Sequence, residues 1–179
     1  MRRFYGDRLK RAAHLLFFRR GKLPGAKAWE LKSRVGEDYK EVLGQLNEVL
    51  DAIDLEVREV GDEGEGGSRF LVALKGTIKP VEARMMGWRI DNLAGLAVAI
   101  SYIISKQGKA PRKEVEELLS QKLGRWKALT LLDVYERSGY IAEGEGEILS
   151  LGWRTKAEVD LRRLMTSLLG GGQPPSDQF

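Results

Sequence analysis

The chain contains no cysteine and only one histidine among its 179 residues. The lack of cysteine excludes disulfides and thiol chemistry and argues against a closed zinc site. The single histidine, His14, lies among apolar residues at helical spacing, so no Ser-His-Asp set can be assembled around it. The glycine-rich stretch 61–67 contains acidic residues and lacks the Lys-Ser/Thr that ends a phosphate-binding loop. We therefore expect a protein that is not an enzyme and needs no metal or cofactor.

Long hydrophobic runs are also missing. The most apolar stretch, 93–104, is interrupted by Gly95 and Ser101, which is typical of a buried helix rather than a membrane span. The basic N-terminal residues are not followed by an apolar core and a small-residue cleavage site, so no signal peptide is predicted. With no cysteine present, a cytoplasmic location is expected.

Charge is distributed very unevenly along the chain, although the net charge is only +4. Residues 1–36 hold eleven Lys/Arg against Asp7 and Glu30, whereas residues 37–70 hold three basic and eleven acidic residues. A basic block of this density attracts polyanions such as nucleic acids. The alternative is an ordinary solvated surface.

The same order of elements is predicted twice. Helical spacing of apolar residues predicts helices at 7–20, 26–34 and after Gly36, and a hairpin of strands 55–60 and 69–75 follows. Three further helices between 91 and 138 precede a second hairpin, formed by 140–142 and 147–151. Three helices closed by a hairpin are typical of a winged helix. We predict a mainly α protein with small β-hairpins (α+β): module A at 1–78, a connector at 79–90, module B with a C-terminal helix at 91–169, and a disordered tail at 170–179.

The helical periodicity also assigns core positions. It places Trp29 on the inner side of the second helix and Val49 and Ile53 on the inner side of the third. In module B it directs Trp126 inward. The helix around residues 15–18 is apolar nearly all round, so it is either a core helix or a partner-binding patch.

Basic residues near the helical turn of module B are the candidates for binding duplex DNA. Phosphates are contacted by cations and by helix N-termini, and the third helix of such a module is the one that meets DNA. The candidates are Lys106, Lys109, Arg112, Lys113, Arg125, Lys127, Arg154 and Lys156. The acidic wing tip, 143–147, argues against insertion of the wing into a groove, and contact with the DNA backbone is expected rather than sequence reading. The third helix of module A carries Glu41, Glu48, Asp51 and Asp54, which favours packing or protein contact.

Several stretches, in order, resemble the MAGE homology domain. They run from Ala12 to Arg20, from Leu46 to Leu74, from Asn92 to Val115 and from Leu151 to Val159. The family includes the melanoma-antigen proteins and a non-SMC subunit of a chromosome-maintenance complex, and it belongs to the kite proteins. The turn at Leu123–Arg125 is shorter than in the melanoma-antigen proteins.

The resemblance implies tandem winged helices, association with DNA, and two protein partners within an SMC-like chromosome maintenance and repair complex. One partner is a kleisin-like chain that contacts mainly module B. The other is a second kite subunit, or a second copy of the chain, that contacts module A at Leu15 and Leu16. A compact version of this kind fits a prokaryotic, archaeal member associated with the nucleoid. Two alternatives stay open: a stand-alone winged-helix transcription regulator, and a scaffold that binds proteins only.

Overall fold

The structure, a computed structural model, describes residues 2–18, 23–62, 67–76 and 89–169. Most of the predicted connector and all of the predicted tail lie outside these ranges.

Module A contains three helices and a three-stranded antiparallel sheet. Its elements are α1 (Arg2–Phe17), β1 (Ala26–Lys27), α2 (Ala28–Val35), α3 (Tyr39–Asp51), β2 (Leu55–Asp62) and β3 (Gly67–Leu74). The strand order is β1-β3-β2, with Val57 opposite Val72 in the hairpin and Ala26 opposite Phe70 at the other edge.

Module B repeats this order and adds two C-terminal helices. Its elements are α4 (Ile90–Ser105), β4 (Lys109–Pro111), α5 (Arg112–Leu123), α6 (Arg125–Arg137), β5 (Ile141–Gly144), β6 (Ile148–Leu151), α7 (Trp153–Glu158) and α8 (Leu161–Leu169). The sheet order β4-β6-β5 matches that of module A. The predicted mainly α, tandem winged-helix class is confirmed. The short strands β1 and β4, which complete each sheet, were not predicted.

Each module has its own core. Module A buries Leu31, Val42 and Leu46 with Phe70 of the hairpin. Module B buries a larger set around Tyr135, which is fully enclosed and donates a hydrogen bond to the carbonyl of Asn92 at 2.5 Å. Burial raises the pKa of Tyr135 far above its usual value, so its hydroxyl remains a donor. Each large apolar side chain that is fully buried stabilises the fold by about 1.5–3 kcal/mol.

Four predicted core residues lie at the surface instead. The exposed fractions are 66% for Trp29, 59% for Val49, 63% for Ile53 and 85% for Trp126. The inner face of α6 holds Leu132 and Tyr135, as the periodicity predicts, together with Ala128 and Leu131. Ala128 lies two residues after Trp126, about 200° around the helix. The periodicity prediction was wrong because these helices carry apolar residues on two faces.

Helix α7 joins the modules. The sequence predicted one helix after residue 153, but the structure has two, α7 and α8. The first of them, α7, contacts β2 and β3 of module A. Arg58 of β2 donates hydrogen bonds to the carbonyls of Ala157 at 2.5 Å and Leu74 at 3.1 Å. The guanidinium of Arg69 lies 4.9 Å from the ring centroid of Trp153, a cation-π distance. Module A is therefore held against the segment that follows the wing of module B.

Gly152 lets the second hairpin and α7 come together. A Cβ atom at this position would lie 2.2 Å from the carbonyl oxygen of Gly139, and this contact is with backbone. We expect Gly152→Ala to lower the free energy of unfolding by about 3 kcal/mol, because the backbone around it must shift. Urea denaturation measures the change.

The matched control is Gly44→Ala. Gly44 lies in α3, and a Cβ there meets nothing within 4 Å. This change should raise the free energy of unfolding by about 1 kcal/mol, because alanine is the better helix former. Equal effects of the two substitutions would contradict the close approach at Gly152.

Candidate protein and nucleic-acid interfaces

The outer face of α6 forms an apolar groove. Its lining residues share one side of the helix at spacings of three and four, and they are Trp126, Leu129, Thr130, Asp133, Val134 and Arg137. The groove is open to solvent and has a volume of about 330 Å³. We call this set the α6 groove.

The α6 groove is exposed because the module already has a complete core. The inner side of α6 supplies Leu131, Leu132 and Tyr135 to that core. Gly124, with φ +84°, ends α5 and lets α6 start in a new direction. Trp126 at the start of α6 is then left almost wholly in solvent. A large aromatic side chain at an exposed helix start is typical of a protein-contact site.

Arg112 is held inside module B by four carboxylates. Its guanidinium donates to Glu116 at 2.8 Å, to Glu143 at 3.0 Å, to Asp133 at 3.1 Å and also to Glu136. Only 17% of its side chain is exposed. These contacts join α5, α6 and β5. Most of its donors are engaged by these carboxylates, and its contact with DNA stays a prediction.

The charges in this cluster shift the pKa values of its members. Burial lowers the pKa of Arg112, but the hydrogen bond to Glu116 and the neighbouring carboxylates outweigh it and raise the value. Burial also raises the pKa of Glu136, and the attraction of Arg112 offsets only part of this rise because Glu143 and Asp133 are close. The single positive charge of Arg112 therefore does not neutralise the four carboxylates around it.

Three more candidate cations, Lys106, Arg154 and Lys127, are engaged in ion pairs. Lys106 lies 3.0 Å from Glu114, and Arg154 lies 2.6 Å from Glu158 and 4.6 Å from the ring centroid of Tyr140. These two cations have partners close by. If Lys106 or Arg154 bound a phosphate instead, its ion pair with Glu114 or Glu158 would be lost.

Lys127 pairs with Asp91 of α4. This hydrogen bond lowers the pKa of Asp91 to about 2. Because the folded value lies below the ordinary value near 4, the pair stabilises the fold above that pH. Its contribution is lost as the pH falls from about 4 to about 2. Lys127 therefore ties α6 to α4 at neutral pH.

Lys109, Lys113 and Arg125 are exposed and form no ion pair with any residue that the structure describes. Lys109 lies in β4, three residues before α5, Lys113 lies in the first turn of α5, and the exposed Lys106 precedes both in sequence. Arg125 lies beyond the other end of this helix, roughly 18 Å away at 1.5 Å per residue. Lys156 is exposed on α7. The eight candidates thus fall into separate groups, and Lys109 and Lys113 are two exposed cations close together in sequence.

The predicted partner site on α1 is partly internal. Leu16 is only 5% exposed and belongs to the core of module A, so its side chain is not available to a partner in this conformation. Leu15 is half-buried, and its role in partner contact stays a prediction. The exposed apolar side chains at this end of α1 are Phe17 and Phe18, with Phe18 packed edge-to-face on His14.

The outer face of α3 differs from that of α6. It exposes Glu41 and Glu48 together with Val49 and Ile53. Its cation Lys40 lies 3.3 Å from Glu59 of β2. The helix that corresponds to α6 in module A thus presents an acidic and apolar surface.

Metal-binding clusters and membrane-spanning helices are both absent from the described ranges. Those residues contain no group of three or more His, Asp or Glu side chains placed to hold a metal ion. None of the helices described is long and apolar enough to cross a membrane.

Replacement of Arg112 tests the carboxylate cluster. Burial already raises the pKa of Glu136, and without the guanidinium it should rise further because the attraction of Arg112 is lost. A raised carboxyl pKa destabilises the fold above that pKa, and the cost disappears on protonation. We expect Arg112→Ala to cost about 2 kcal/mol at pH 7 and much less near pH 4, as measured by urea unfolding across pH.

The control is Lys32→Ala, which removes an exposed pair with Glu37 at 2.9 Å. Exposed pairs contribute little, so stability should hardly change at either pH. A cost for Arg112→Ala that does not depend on pH would contradict the charge-based account.

Comparison with known proteins defines the fold. No protein-family model matches the chain, and no curated protein matches it by sequence. A chain in the solved structure of an Nse1-Nse3-Nse4 complex matches with a TM-score of 0.68 and 11% sequence identity, over 93% of this chain and 74% of that one. This likeness establishes a shared fold. It agrees with the kite-like tandem winged-helix architecture that the MAGE resemblance implies.

Proposed function

We propose that the protein is a non-enzymatic accessory subunit of an SMC-like chromosome complex. In this proposal the α6 groove binds a kleisin-like chain, and duplex DNA is held through its phosphates by Lys109 and Lys113. The observation that carries the proposal is the exposed apolar face of α6, with Trp126 85% exposed.

The α6 groove has the geometry of a helix-docking site. Its residues recur at spacings of three and four, so an amphipathic helix from a partner can place its own apolar residues between them. Tryptophan and arginine are the residues that most often dominate binding energy, and Trp126 and Arg137 lie at the two ends of the groove. Kleisin recognition is supported by the likeness to a chain of the Nse1-Nse3-Nse4 complex.

The same face argues against the regulator alternative. A base-reading helix presents Arg, Asn, Gln or Lys to the groove of DNA. The α6 groove presents mainly apolar side chains, Trp126, Leu129 and Val134, and its one arginine, Arg137, lies at the far end of the helix, 4.0 Å from Asp133. Contact with DNA is therefore assigned to the start of α5, where cations and a positive helix end coincide.

The partner prediction compares two exposed tryptophans. Trp126→Asp should abolish co-purification of a kleisin-like chain and an SMC-like ATPase with the tagged protein from its own cells, because a charge replaces the anchor of the groove. Mass spectrometry identifies the captured chains.

The control is Trp29→Asp, an exposed tryptophan of α2 in module A. This variant should capture both partners as the unmodified protein does, and circular dichroism should show both variants folded. Equal capture by the two variants, or capture of no kleisin-like chain by the unmodified protein, would refute the proposal.

The DNA prediction concerns the start of α5. Lys109→Glu with Lys113→Glu should weaken binding to a random-sequence duplex about tenfold or more. The slope of log affinity against log salt should fall by about 2, because two phosphate contacts are lost at about 0.9 each. Fluorescence anisotropy across a salt series measures both.

Lys32→Glu with Lys40→Glu makes the same change in net charge on module A, at two lysines that already face carboxylates. We expect this control variant to lose little affinity for the duplex and to keep the same slope of log affinity against log salt. If it weakens DNA binding as much as the α5 variant does, the assignment of phosphate contact to the start of α5 is wrong.

A further inference from the structure

One end of the α6 groove carries more negative than positive charge. Asp133 lines the groove and is also one of the four carboxylates around Arg112. We call these four residues the carboxylate cluster, and they are Glu116, Asp133, Glu136 and Glu143. A single, largely buried guanidinium lies among them. The groove is therefore bordered by negative charge at the point where Asp133 lies.

Arg137 does not remove this excess. It lies 4.0 Å from Asp133, and 78% of its side chain is exposed, as is 51% of the side chain of Asp133. An exposed pair of this kind contributes little to stability, so Arg137 can move aside at small cost. Even with Arg137 included, four carboxylates face two guanidinium groups, an excess of two negative charges.

The other end of the groove is apolar. Trp126 is 85% exposed, and the half-buried Leu129 follows it one turn later. Thr130 donates its hydroxyl to the carbonyl of Trp126 at 3.0 Å, so this donor is already used within the helix. The α6 groove thus combines an apolar half with a negatively charged half.

We propose that the helix bound in the α6 groove is cationic and carries a lysine or arginine that pairs with Asp133. Trp126 and Asp133 are seven residues apart, which corresponds to roughly 10 Å along the helix. A partner helix that lies along the groove then carries its basic residue seven positions from the apolar residue that packs on Trp126. This inference rests on the proposed function and specifies which helices the groove accepts.

The charge of the groove determines selectivity among helices of similar apolar pattern. An acidic side chain placed beside Asp133 would meet the uncompensated charge of the carboxylate cluster, which disfavours that partner. The same charge repels phosphate, so it also disfavours nucleic acid on this face. Because Asp133 is half exposed, the preference for a basic residue is moderate and decreases with added salt.

Selection from a peptide library tests the proposal without a known partner. Phage display helical peptides of about five turns, with leucines fixed at spacings of three and four and the other positions randomised. Selection on the full chain, with counter-selection on Trp126→Asp, should enrich Lys or Arg seven positions from a fixed leucine. Enrichment of Asp or Glu at that position, enrichment of no residue there, or recovery of no peptide that depends on Trp126 would overturn the proposal.

A double-mutant cycle assigns the preference to Asp133. The selected peptide should bind the unmodified chain about fivefold more tightly than the same peptide with glutamine in place of its basic residue. Asp133→Asn should abolish this ratio, because asparagine keeps the size and an acceptor oxygen but not the charge. Arg137→Gln should increase the ratio, whatever its effect on overall affinity, because the cation that shares Asp133 is removed. Thermal melting shows whether each variant is folded.

The matched controls remove one exposed charge outside the groove and the carboxylate cluster. Glu117→Gln on α5 and Arg162→Gln on α8 should leave the ratio unchanged. A preference for the basic peptide that survives Asp133→Asn in the folded variant would overturn the proposal.

This inference and the proposed function can fail separately. If the unmodified chain captures a kleisin-like chain from cells but shows no charge preference among peptides, the accessory role stands and this inference is wrong. If the preference depends on Asp133 but no kleisin-like chain is captured, the inference stands and the proposed partner is wrong.

Discussion

The arrangement of module B depends on one guanidinium. Arg112 contacts carboxylates of α5, α6 and β5, so a single side chain fixes the wing and the third helix against the second. These contacts engage most of its donors within module B. They also orient α6, whose inner face fills the core while its outer face remains in solvent. The α6 groove is a consequence of this arrangement.

The two modules share one fold but present different chemistry at the equivalent helix. In module A the outer face of α3 is acidic with an apolar end, and in module B the outer face of α6 is mainly apolar from Trp126 to Val134, with the pair Asp133 and Arg137 near its end. Neither face resembles a helix that reads bases. In the proposed function, α6 contacts protein and the exposed cations near the start of α5 contact DNA. Helix α7 links the modules through Ala157 and Trp153.

Much of the architecture could be predicted from the sequence, because helical periodicity and glycine-bounded hairpins are local signals. The strands β1 and β4 were missed because two or three residues carry no periodic pattern. Trp126 was assigned to the core because a helix with two apolar faces does not show which face is inward. The role of Arg112 could not be found, since Asp133, Glu136 and Glu143 approach it only in the tertiary structure. Lys113 follows Arg112 directly in sequence but is exposed, and this difference also depends on the tertiary structure.

The central claim is that α6 meets protein while the start of α5 meets DNA. Hydrogen–deuterium exchange of the full chain, with and without a short random-sequence duplex at low salt, tests this claim most directly. The account predicts slower exchange around residues 106–113 when DNA is bound and unchanged exchange across α6. Protection of α6 by DNA, with none at the start of α5, would contradict the account and restore α6 as a DNA-binding helix.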